Sequence, residues 1–454
     1  EAAAAVYQRQ AAMFSPELVQ KAGEVTSEEA RAKYNAYTKH GDRDIYKGLT
    51  LWAPNINIFR DPRWGRGHET YGEDPFLTAE NGKAYVRGLQ GEGKVLKTAA
   101  CAKHLAVHSG PEALRHRFNA EATEKDLEET YLPAFKELVT GAKVEGVMGA
   151  YNRVNGEPSC ASPYLMGKLR EWDFDGYFVS DCWAICDFHK NHHVTKEPME
   201  SAALALKSGC DVNCGCTYVN VMAALEHGLL TKEDIRTACV HLMRTRIRLG
   251  MFDKKTEFDD IPYSVVGCKE HKAVSLECAE RSMVLLRNNG ILPLKEKELG
   301  TIAVIGPNSM SNAALEGNYC GTADKYVTFL EGIQNRFEGR VIYAEGCHLY
   351  KDRSSGLAAA GDRYAEAMAA AEASDLVILC VGLDASIEGE EGDTGNEFSS
   401  GDKNDLRLPE SQRILVQKIM DTGKPVVMVC AAGSSINAEC EPDALLHVWY
   451  PGSE

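Results

Sequence analysis

The stretch that decides the fold is Asp175-Gly176-Tyr177-Phe178-Val179-Ser180-Asp181-Cys182-Trp183, in which a short apolar segment ends on a carboxylate. Its composition predicts a buried strand from Tyr177 to Ser180. Parallel α/β folds collect their catalytic groups at the carboxyl ends of such strands. An Asp after a strand is more often the N-cap of the next helix, so Asp181 needs partners from other strands before chemistry is assigned to it.

The same strand-then-helix unit recurs from about residue 50 to residue 250. Amphipathic helices lie between the apolar segments, and the one from Glu124 to Val139 begins with the capping residues Thr123 and Asp126. Repetition of this unit predicts a (β/α)8 TIM-like barrel rather than an open sheet. The candidate strands are Leu49–Ala53, Thr98–Ala102, Gly146–Ala150, Tyr177–Ser180 and the segment entering Asp211.

The chain changes character after residue 250, where a charged, turn-like stretch begins at Asp253. A second series of strands and helices starts at Thr301, and its continuous apolar strands predict a sheet covered on both faces. We therefore expect a barrel domain over residues 1–250, a linker over residues 251–299, and an α/β sandwich domain with a mostly parallel sheet over residues 300–454.

Charge and composition narrow the classes of partner. Acidic residues outnumber basic ones, 66 to 50, for a formal net charge of −16, and the sequence contains no basic block that could follow a phosphate backbone. Its longest apolar runs are far shorter than the roughly 20 residues of a membrane helix. Phosphate-binding loops of the P-loop or dinucleotide type are also missing from the sequence. We expect no nucleic-acid partner, no membrane partner and no cofactor.

Fifteen cysteines is a high and odd number, and their spacing is irregular. Cys210, Cys214 and Cys216 lie close together, but this spacing matches no common zinc site and a second pair of ligands is not nearby. We therefore expect reduced, packed thiols here and no metal.

Charge, aromatic rings and loop-forming residues crowd together between Arg60 and Pro75. Arg and carboxylate side chains in this block could hold neutral polyols through several hydrogen bonds. A salt-bridged brace under the rim of the barrel is an equally good interpretation for every residue of the block except Arg66.

Lys103 and His104 end a predicted strand and place an ammonium beside an imidazole. Such a pair can donate to sugar hydroxyls or keep a nearby carboxylate ionised. Tyr151 follows the next predicted strand and could bring a phenolic hydroxyl to the same place, or could simply pack in the core with its hydroxyl satisfied.

An acidic, Gly-rich loop over residues 384–397 leaves a strand of the second series. Most acidic runs are solvated and silent, and a calcium site is a minor alternative because the loop lacks the EF-hand order. The sharper interpretation is a loop that carries a carboxylic acid to a site on the other domain. Retaining glycoside hydrolysis needs such a pair of carboxyl groups, about 5 to 5.5 Å apart.

Taken together, these segments resemble glycoside hydrolase family 3, the family of exo-acting β-glucosidases and β-xylosidases. The resemblance implies that Asp181 is the nucleophile, that Arg66, Lys103, His104 and Tyr151 bind the non-reducing-end sugar, and that Trp183 is a stacking wall. It spans nearly the whole chain. Its motifs are Pro54 to Pro75, Lys103-His104, Met148 to Gly156, Val179-Ser180-Asp181, Ser282 to Asn288, and Gly317-Asn318-Tyr319.

The acid/base of this family is a Glu on a loop of the second domain. The acidic loop offers Glu388, Glu390, Glu391 and Glu397. We assign Glu391, because its position relative to Gly401-Asp402-Lys403 is most similar to the family spacing.

Two departures from the family pattern concern the ends of the chain. The first barrel strand of the family is not recognisable in Glu1 to Met13, and the second domain stops before we expect it to close. We therefore expect an incomplete chain, while its compartment and the question of a homodimer stay open.

The residues around the nucleophile indicate the sugar. Ser180 to Ile185 looks more like the β-xylosidase side of the family, which implies a xylan 1,4-β-xylosidase acting on β-linked oligosaccharides. A β-glucosidase or a dual enzyme is the alternative. Leu105 to His108 differs from the segment that follows Lys-His in phosphorylase-like and N-acetylglucosaminidase members, which disfavours that branch.

From other classes, a non-catalytic glycan-binding relative and a metal-dependent hydrolase remain to be tested.

Overall fold

The computed structural model describes residues 7–319, 321–350, 359, 361–392 and 400–453. The chain divides into two compact units. The N-terminal unit comprises Phe14–Arg60 and Thr70–Val274. The C-terminal unit comprises Glu1–Met13, Asp61–Glu69 and Ser275–Glu454, so it takes in a short piece of chain from within the first half. The boundaries predicted at residues 250 and 299 stay predictions.

A parallel sheet carries the N-terminal unit. Each strand pairs in parallel with the next, and Val179 makes a further parallel bridge to Val212, beyond Asp211. Each segment predicted as a strand of this unit thus contributes to one sheet, and the predicted α/β class is confirmed. In spatial order the strands are Thr50–Leu51, Ala99–Leu105, Gly146–Gly149 and Tyr177–Ser180.

The remaining elements of this unit are mostly helices. A small sheet is built from Asn119–Ala120, Arg153–Val154 and Glu157–Pro158. The α-helices are Pro16–Lys39, Pro75–Gln90, Glu124–Asp126, Pro133–Gly141, Pro163–Glu171, Ala184–Lys190, Pro198–Ser208, Val221–Glu226 and Lys232–Arg248, while Lys269–Ser282 crosses into the C-terminal unit.

Local sequence chemistry explains where these helices begin. The side chain of Asp74 accepts a hydrogen bond from the Leu77 N–H at 2.6 Å, and Pro75 fills the first helical position, where no backbone donor is needed. Thr231 and Asp234 form a reciprocal capping box at the start of Lys232–Arg248.

Helices Pro16–Lys39 and Pro75–Gln90 approach each other through glycines. A Cβ atom placed on Gly23 would lie 2.7 Å from the Tyr85 carbonyl oxygen, and one placed on Gly88 would lie 2.9 Å from the Gly23 Cα. Both separations are far below van der Waals contact, so this crossing requires the absence of side chains at both positions.

A mostly parallel sheet forms the core of the C-terminal unit, as predicted. Its first five strands run parallel and the last one, at the edge, is antiparallel to its neighbour. In spatial order the strands are Arg340–Ala344, Thr301–Ile305, Leu376–Gly382, Val426–Ala431, Ala444–His447 and Val284–Asn288; the described α-helices are Tyr7–Ala12, Phe329–Arg336, Tyr364–Glu372 and Glu410–Met420.

Both faces of this sheet are covered, as the continuous apolar strands predict. All residues of Leu376–Gly382 are buried, and alternate side chains enter two separate apolar clusters. Val377 and Leu379 pack in one cluster, while Leu376 and Ile378 pack in the other. The period of two along a strand sends successive side chains to opposite faces, which explains the division.

In the part of the chain that the structure describes, none of the helices has both the length and the apolar content needed to cross a bilayer.

The glycine crossing gives a test of the packing of the N-terminal unit. We expect Gly88→Ala to lower the free energy of unfolding by about 1–3 kcal/mol, because the added methyl overlaps the Gln20 carbonyl oxygen. Gly167→Ala is the matched control, since Gly167 is also helical but has open space around it, and should raise stability by about 0.5–1 kcal/mol. Urea denaturation measures both, and equal effects of the two substitutions would refute the packing argument.

Candidate active site

Asp181 lies at the carboxyl end of Tyr177–Ser180, where the sequence places it. Its backbone N–H donates to the Gly149 carbonyl oxygen at 3.1 Å, and its Oδ1 accepts from the Cys182 N–H at 2.7 Å. The residue is 7% exposed, and its Oδ2 lies 3.4 Å from Nε2 of His104. The sheet therefore presents a nearly buried carboxylate with an imidazole on one side.

Asn57 holds the imidazole of His104. The Oδ1 of Asn57 accepts from the His104 backbone N–H at 2.9 Å and lies 2.9 Å from its Nδ1, while the Asn57 amide donates to the His104 carbonyl oxygen at 2.8 Å. Because the Asn57 amide oxygen can only accept hydrogen bonds, Nδ1 of His104 must be the donor in this pair. This bond orients the ring so that Nε2 faces Asp181. A second proton on Nε2 would make His104 cationic and favour an ionised Asp181, while a bare Nε2 would accept from a hydroxyl.

Sequence reasoning missed Asn57. The signal available was an Asn four residues beyond the first candidate strand, on the side of the sheet where Lys103 and His104 also lie. Lys103 itself lies within Ala99–Leu105, its N–H donating to the Pro54 carbonyl oxygen at 3.1 Å and its own carbonyl oxygen accepting from the Ile56 N–H at 2.8 Å.

Tyr151 is buried among cationic and imidazole groups. The guanidinium of Arg115 lies over its ring at 4.6 Å, and the ring of His116 meets it edge-on at 4.7 Å. Nδ1 of His116 lies 2.9 Å from Oδ2 of Asp187, which fixes that imidazole in turn. Arg115 and His116 are further residues that sequence reasoning missed, because their adjacency to Tyr151 arises only in the fold.

A disulfide joins Cys182 to Cys214. The expectation of reduced thiols was therefore wrong for Cys214, although Cys210 is a buried free thiol and Cys216 an exposed one. The two bonded residues are far apart in sequence, but each follows a segment that pairs within the same parallel sheet, at Val179 and Val212. Neighbouring strand ends bring the sulfurs together beside Asp181.

Trp183 begins the helix Ala184–Lys190 in the left-handed region, at φ 67°. Its N–H donates to the Cys214 carbonyl oxygen at 2.8 Å, so the disulfide loop supports its backbone. The indole is 52% exposed. A half-exposed aromatic ring near a buried carboxylate offers a surface on which a sugar ring can stack.

Arg66 lies in the C-terminal unit and is fully buried in a network of acidic and phenolic groups. Its Nε and Nη2 donate to the two oxygens of Glu69 at 2.9 and 2.8 Å. Its Nη1 lies 3.4 Å from Glu390 Oε1, and Nη2 donates to the Tyr319 hydroxyl at 3.4 Å. Burial alone would lower the pKa of Arg66, but Glu69, Tyr319 and Glu390 raise it well above the ordinary arginine value. The guanidinium is therefore permanently charged and its geometry is set by these partners.

The carboxylates of the acidic loop occupy different surroundings. Glu388 is fully buried and pairs with Lys403, while Glu390 hydrogen-bonds with the Tyr319 hydroxyl and pairs with Arg66. Glu391, the predicted acid/base, is half-buried. Glu397 lies outside the described residues.

The predicted site residues thus fall into two groups. Asp181, His104 and Trp183 lie around the carboxyl ends of one sheet in the N-terminal unit. Lys103 lies within a strand of the same sheet, Ala99–Leu105, and Tyr151 follows another, Gly146–Gly149. Arg66 belongs to the C-terminal unit, together with the acidic loop. Over the described residues, no set of three or more His, Cys, Asp or Glu side chains is arranged to hold a metal ion.

Comparisons with known proteins agree on one family. Residues 7–245 match the Glycosyl hydrolase family 3 N terminal domain, and residues 283–454 match the Glycosyl hydrolase family 3 C-terminal domain. Beta-D-xylosidase 1 of Arabidopsis thaliana is 39% identical over 465 residues, covering 97% of this chain and 56% of the plant protein.

Two solved structures are similar over nearly the whole chain. A GH3 exo-beta-xylosidase in complex with a xylobiose aziridine activity-based probe superposes with a TM-score of 0.89 at 30% identity, over 99% of this chain and 57% of that one. The beta-glucosidase from Listeria innocua in complex with glucose superposes with a TM-score of 0.85 at 27% identity, over 99% and 59%. This chain spans a little over half the length of each relative.

The disulfide gives a direct test of the site geometry. We expect mass spectrometry of the unreduced, proteolysed protein to find the peptides of Cys182 and Cys214 linked, because the fold holds these residues together. Cys216 is the internal control, since it is exposed and free and should react with iodoacetamide before any reduction. Alkylation of all three cysteines in the unreduced, folded protein would contradict this arrangement.

Proposed function

Because this chain belongs to glycoside hydrolase family 3, we propose that it is part of a retaining exo-β-xylosidase that releases single xylose units from the non-reducing end of β-linked xylo-oligosaccharides. Family membership confirms the resemblance read from the motifs. The observation that carries the proposal is the position of Asp181. Its nearly buried carboxylate directly follows a parallel strand, and its Oδ2 lies 3.4 Å from Nε2 of His104. A carboxylate so placed is suited to attack on a bound sugar.

In the proposed reaction, Asp181 attacks the anomeric carbon while the glycosidic bond breaks and the leaving oxygen takes a proton from the acid/base. The same acid/base then removes a proton from water, which attacks the anomeric carbon and frees Asp181. Lys103, His104, Tyr151 and Arg66 are proposed to hold the sugar hydroxyls, and Trp183 to stack on a ring. This assignment is supported by the burial of His104 and the exposure of the Trp183 indole.

Xylose is the proposed sugar and glucose the alternative. The similar proteins include a β-D-xylosidase and an exo-beta-xylosidase, and the Cys182-Trp183 pair after Asp181 resembles the xylosidase side of the family. A beta-glucosidase of nearly equal structural similarity supports the alternative of a glucosidase or dual enzyme. Either way the partner is a β-linked oligosaccharide.

The first experiment compares aryl β-xyloside and aryl β-glucoside as substrates. We expect faster hydrolysis of the xyloside, and a loss of at least about 1,000-fold in kcat for Asp181→Asn, which removes the nucleophile. Asp260→Asn is the matched control, because Asp260 is an exposed Asp paired with Lys255 and should leave the rate unchanged.

A folded chain that hydrolyses neither substrate would overturn the proposal in favour of a non-catalytic glycan-binding relative. A 2-fluoro-xyloside separates these classes further, because the enzyme should carry a covalent sugar on the peptide of Asp181 while a binding protein carries none. Loss of activity with a chelator would instead favour a metal-dependent hydrolase.

Glu391 is the proposed acid/base. Glu390 is the alternative, because it contacts Arg66 and the Tyr319 hydroxyl. We expect Glu391→Gln to lose kcat/KM strongly on poor leaving groups and to retain kcat/KM on activated ones. Its kcat on activated substrates should still fall, because deglycosylation lacks its base, and should recover when azide, which needs no base, attacks the glycosyl-enzyme, forms a xylosyl azide and frees Asp181. Glu390→Gln, assayed beside it, should show no azide rescue. Rescue of the Glu390 variant alone would transfer the role to that residue.

A further inference from the structure

A buried ion pair joins Glu388 of the acidic loop to Lys403, which lies just beyond that loop. Oε2 of Glu388 lies 3.3 Å from Nζ of Lys403, and the two side chains are 1% and 6% exposed. One residue further in, the Gly389 N–H donates to the Gly401 carbonyl oxygen at 3.2 Å. We call Glu388-Gly389 together with Gly401-Asp402-Lys403 the neck of the loop.

The hydrogen-bonding capacity of Glu388 is used by groups other than substrate. Its Oε1 accepts from the Tyr450 hydroxyl and from the Gly433 N–H, each at 2.5 Å, and its Oε2 accepts from the Ser434 hydroxyl at 3.3 Å. Burial alone would raise the pKa of Glu388, but Lys403, His68 and the hydrogen bonds from Tyr450 and Gly433 lower it. A carboxylate that stays ionised and shielded from water is unsuited to donate a proton to a leaving group, so Glu388 requires another role.

The segment Asp61–Glu69 packs against the neck. The Gly65 N–H donates to Asp402 Oδ1 at 3.0 Å, and the Lys403 N–H donates to the Arg63 carbonyl oxygen at 2.8 Å. A Cβ atom on Gly65 would overlap the Gly401 carbonyl oxygen and lie 2.6 Å from that of Gly389. Only a glycine at position 65 lets this backbone touch both sides of the neck.

The same segment reaches the next carboxylate of the loop. Arg66 directly follows Gly65, and its Nη1 lies 3.4 Å from Glu390 Oε1. The orientation of Glu390 therefore depends on how the neck packs against Asp61–Glu69. Glu391 is the next residue in the chain, so its position depends on the same packing. Displacement of about 1 Å in a proton-transfer group can cost about 100-fold in rate.

We propose that Glu388, Lys403 and Gly65 are positioning residues, which lock the neck so that the carboxylates of Glu390 and Glu391 are presented at a fixed place. The proposal rests on the proposed glycosidase function. In this proposal, Gly65 allows Asp61–Glu69 to pack closely against the neck. The adjacent Arg66 orients Glu390 through their ion pair. None of the three residues needs to touch the sugar.

The experiment measures how kcat/KM depends on the leaving group. Departure of 2,4-dinitrophenol needs no proton, whereas departure of phenol does, so a displaced acid/base affects the phenyl xyloside selectively. The test variants are Gly65→Ala and the double substitution Glu388→Gln with Lys403→Met, which leaves no unpaired buried charge. We expect each to lose at least about 10-fold on phenyl xyloside and less than about 3-fold on dinitrophenyl xyloside.

Two controls isolate the role of the neck. Lys403→Arg keeps a cation beside Glu388. Its ratio of kcat/KM on dinitrophenyl xyloside to kcat/KM on phenyl xyloside should equal that of the parent chain. Arg407→Met breaks an exposed ion pair with Asp405 just beyond the neck and should change neither rate. Circular dichroism and thermal melting establish that each variant is folded, and the ratio of the two rates does not depend on the fraction that folds.

Each outcome bears on a different claim. Equal losses on both substrates, or no loss on either, would overturn the positioning role and leave a structural one. A folded parent chain that cleaves neither xyloside would overturn the proposed function, and the positioning role with it. A selective loss on phenyl xyloside in both test variants, with retention in Lys403→Arg, is the expected result.

Discussion

Parallel pairing of neighbouring strands is the constraint on which the site in the N-terminal unit depends. Gly146–Gly149 is hydrogen-bonded on one side to Ala99–Leu105 and on the other to Tyr177–Ser180, all in one direction. The carboxyl ends of these strands therefore meet at one edge of the sheet, whatever their separation in sequence. This geometry brings His104 to Asp181 and also places Cys182 beside Cys214.

Charge burial organises the C-terminal unit in a comparable way. Removing an ion from water costs several kcal/mol, so a buried charge persists only where a partner and hydrogen bonds replace the solvent. Arg66 forms an ion pair with Glu69, and Glu388 forms one with Lys403. The side chains of both pairs are almost fully buried from solvent. Polar networks whose members are all satisfied favour a single arrangement, because every alternative leaves a charge without a partner. The surroundings of Glu388 and Glu390 follow from that requirement, because Lys403 pairs with the first and Arg66 with the second.

Several features of the site follow from local patterns in the sequence. The strand before Asp181, the strand that holds Lys103 and His104, and the strand before Tyr151 could each be identified, because runs of apolar residues bounded by polar ones report burial directly. Asn57 and the groups around Tyr151 could not be identified in this way. A polar residue in a loop carries no local signal of the atom it will meet, since that contact depends on how separate strands and loops are brought together.

The sequence by itself determined the α/β class, the strands of the N-terminal sheet and the carboxylate at the end of one of them, because the composition of a strand is a property of neighbouring residues. Tertiary structure alone decided how the acidic loop uses its glutamates. Glu388 and Glu390 are close in sequence and identical in chemistry, yet Lys403 pairs with the first and Arg66 approaches the second. The electrostatic surroundings of a carboxylate are set by charges from distant parts of the chain, and only folding brings those charges within range.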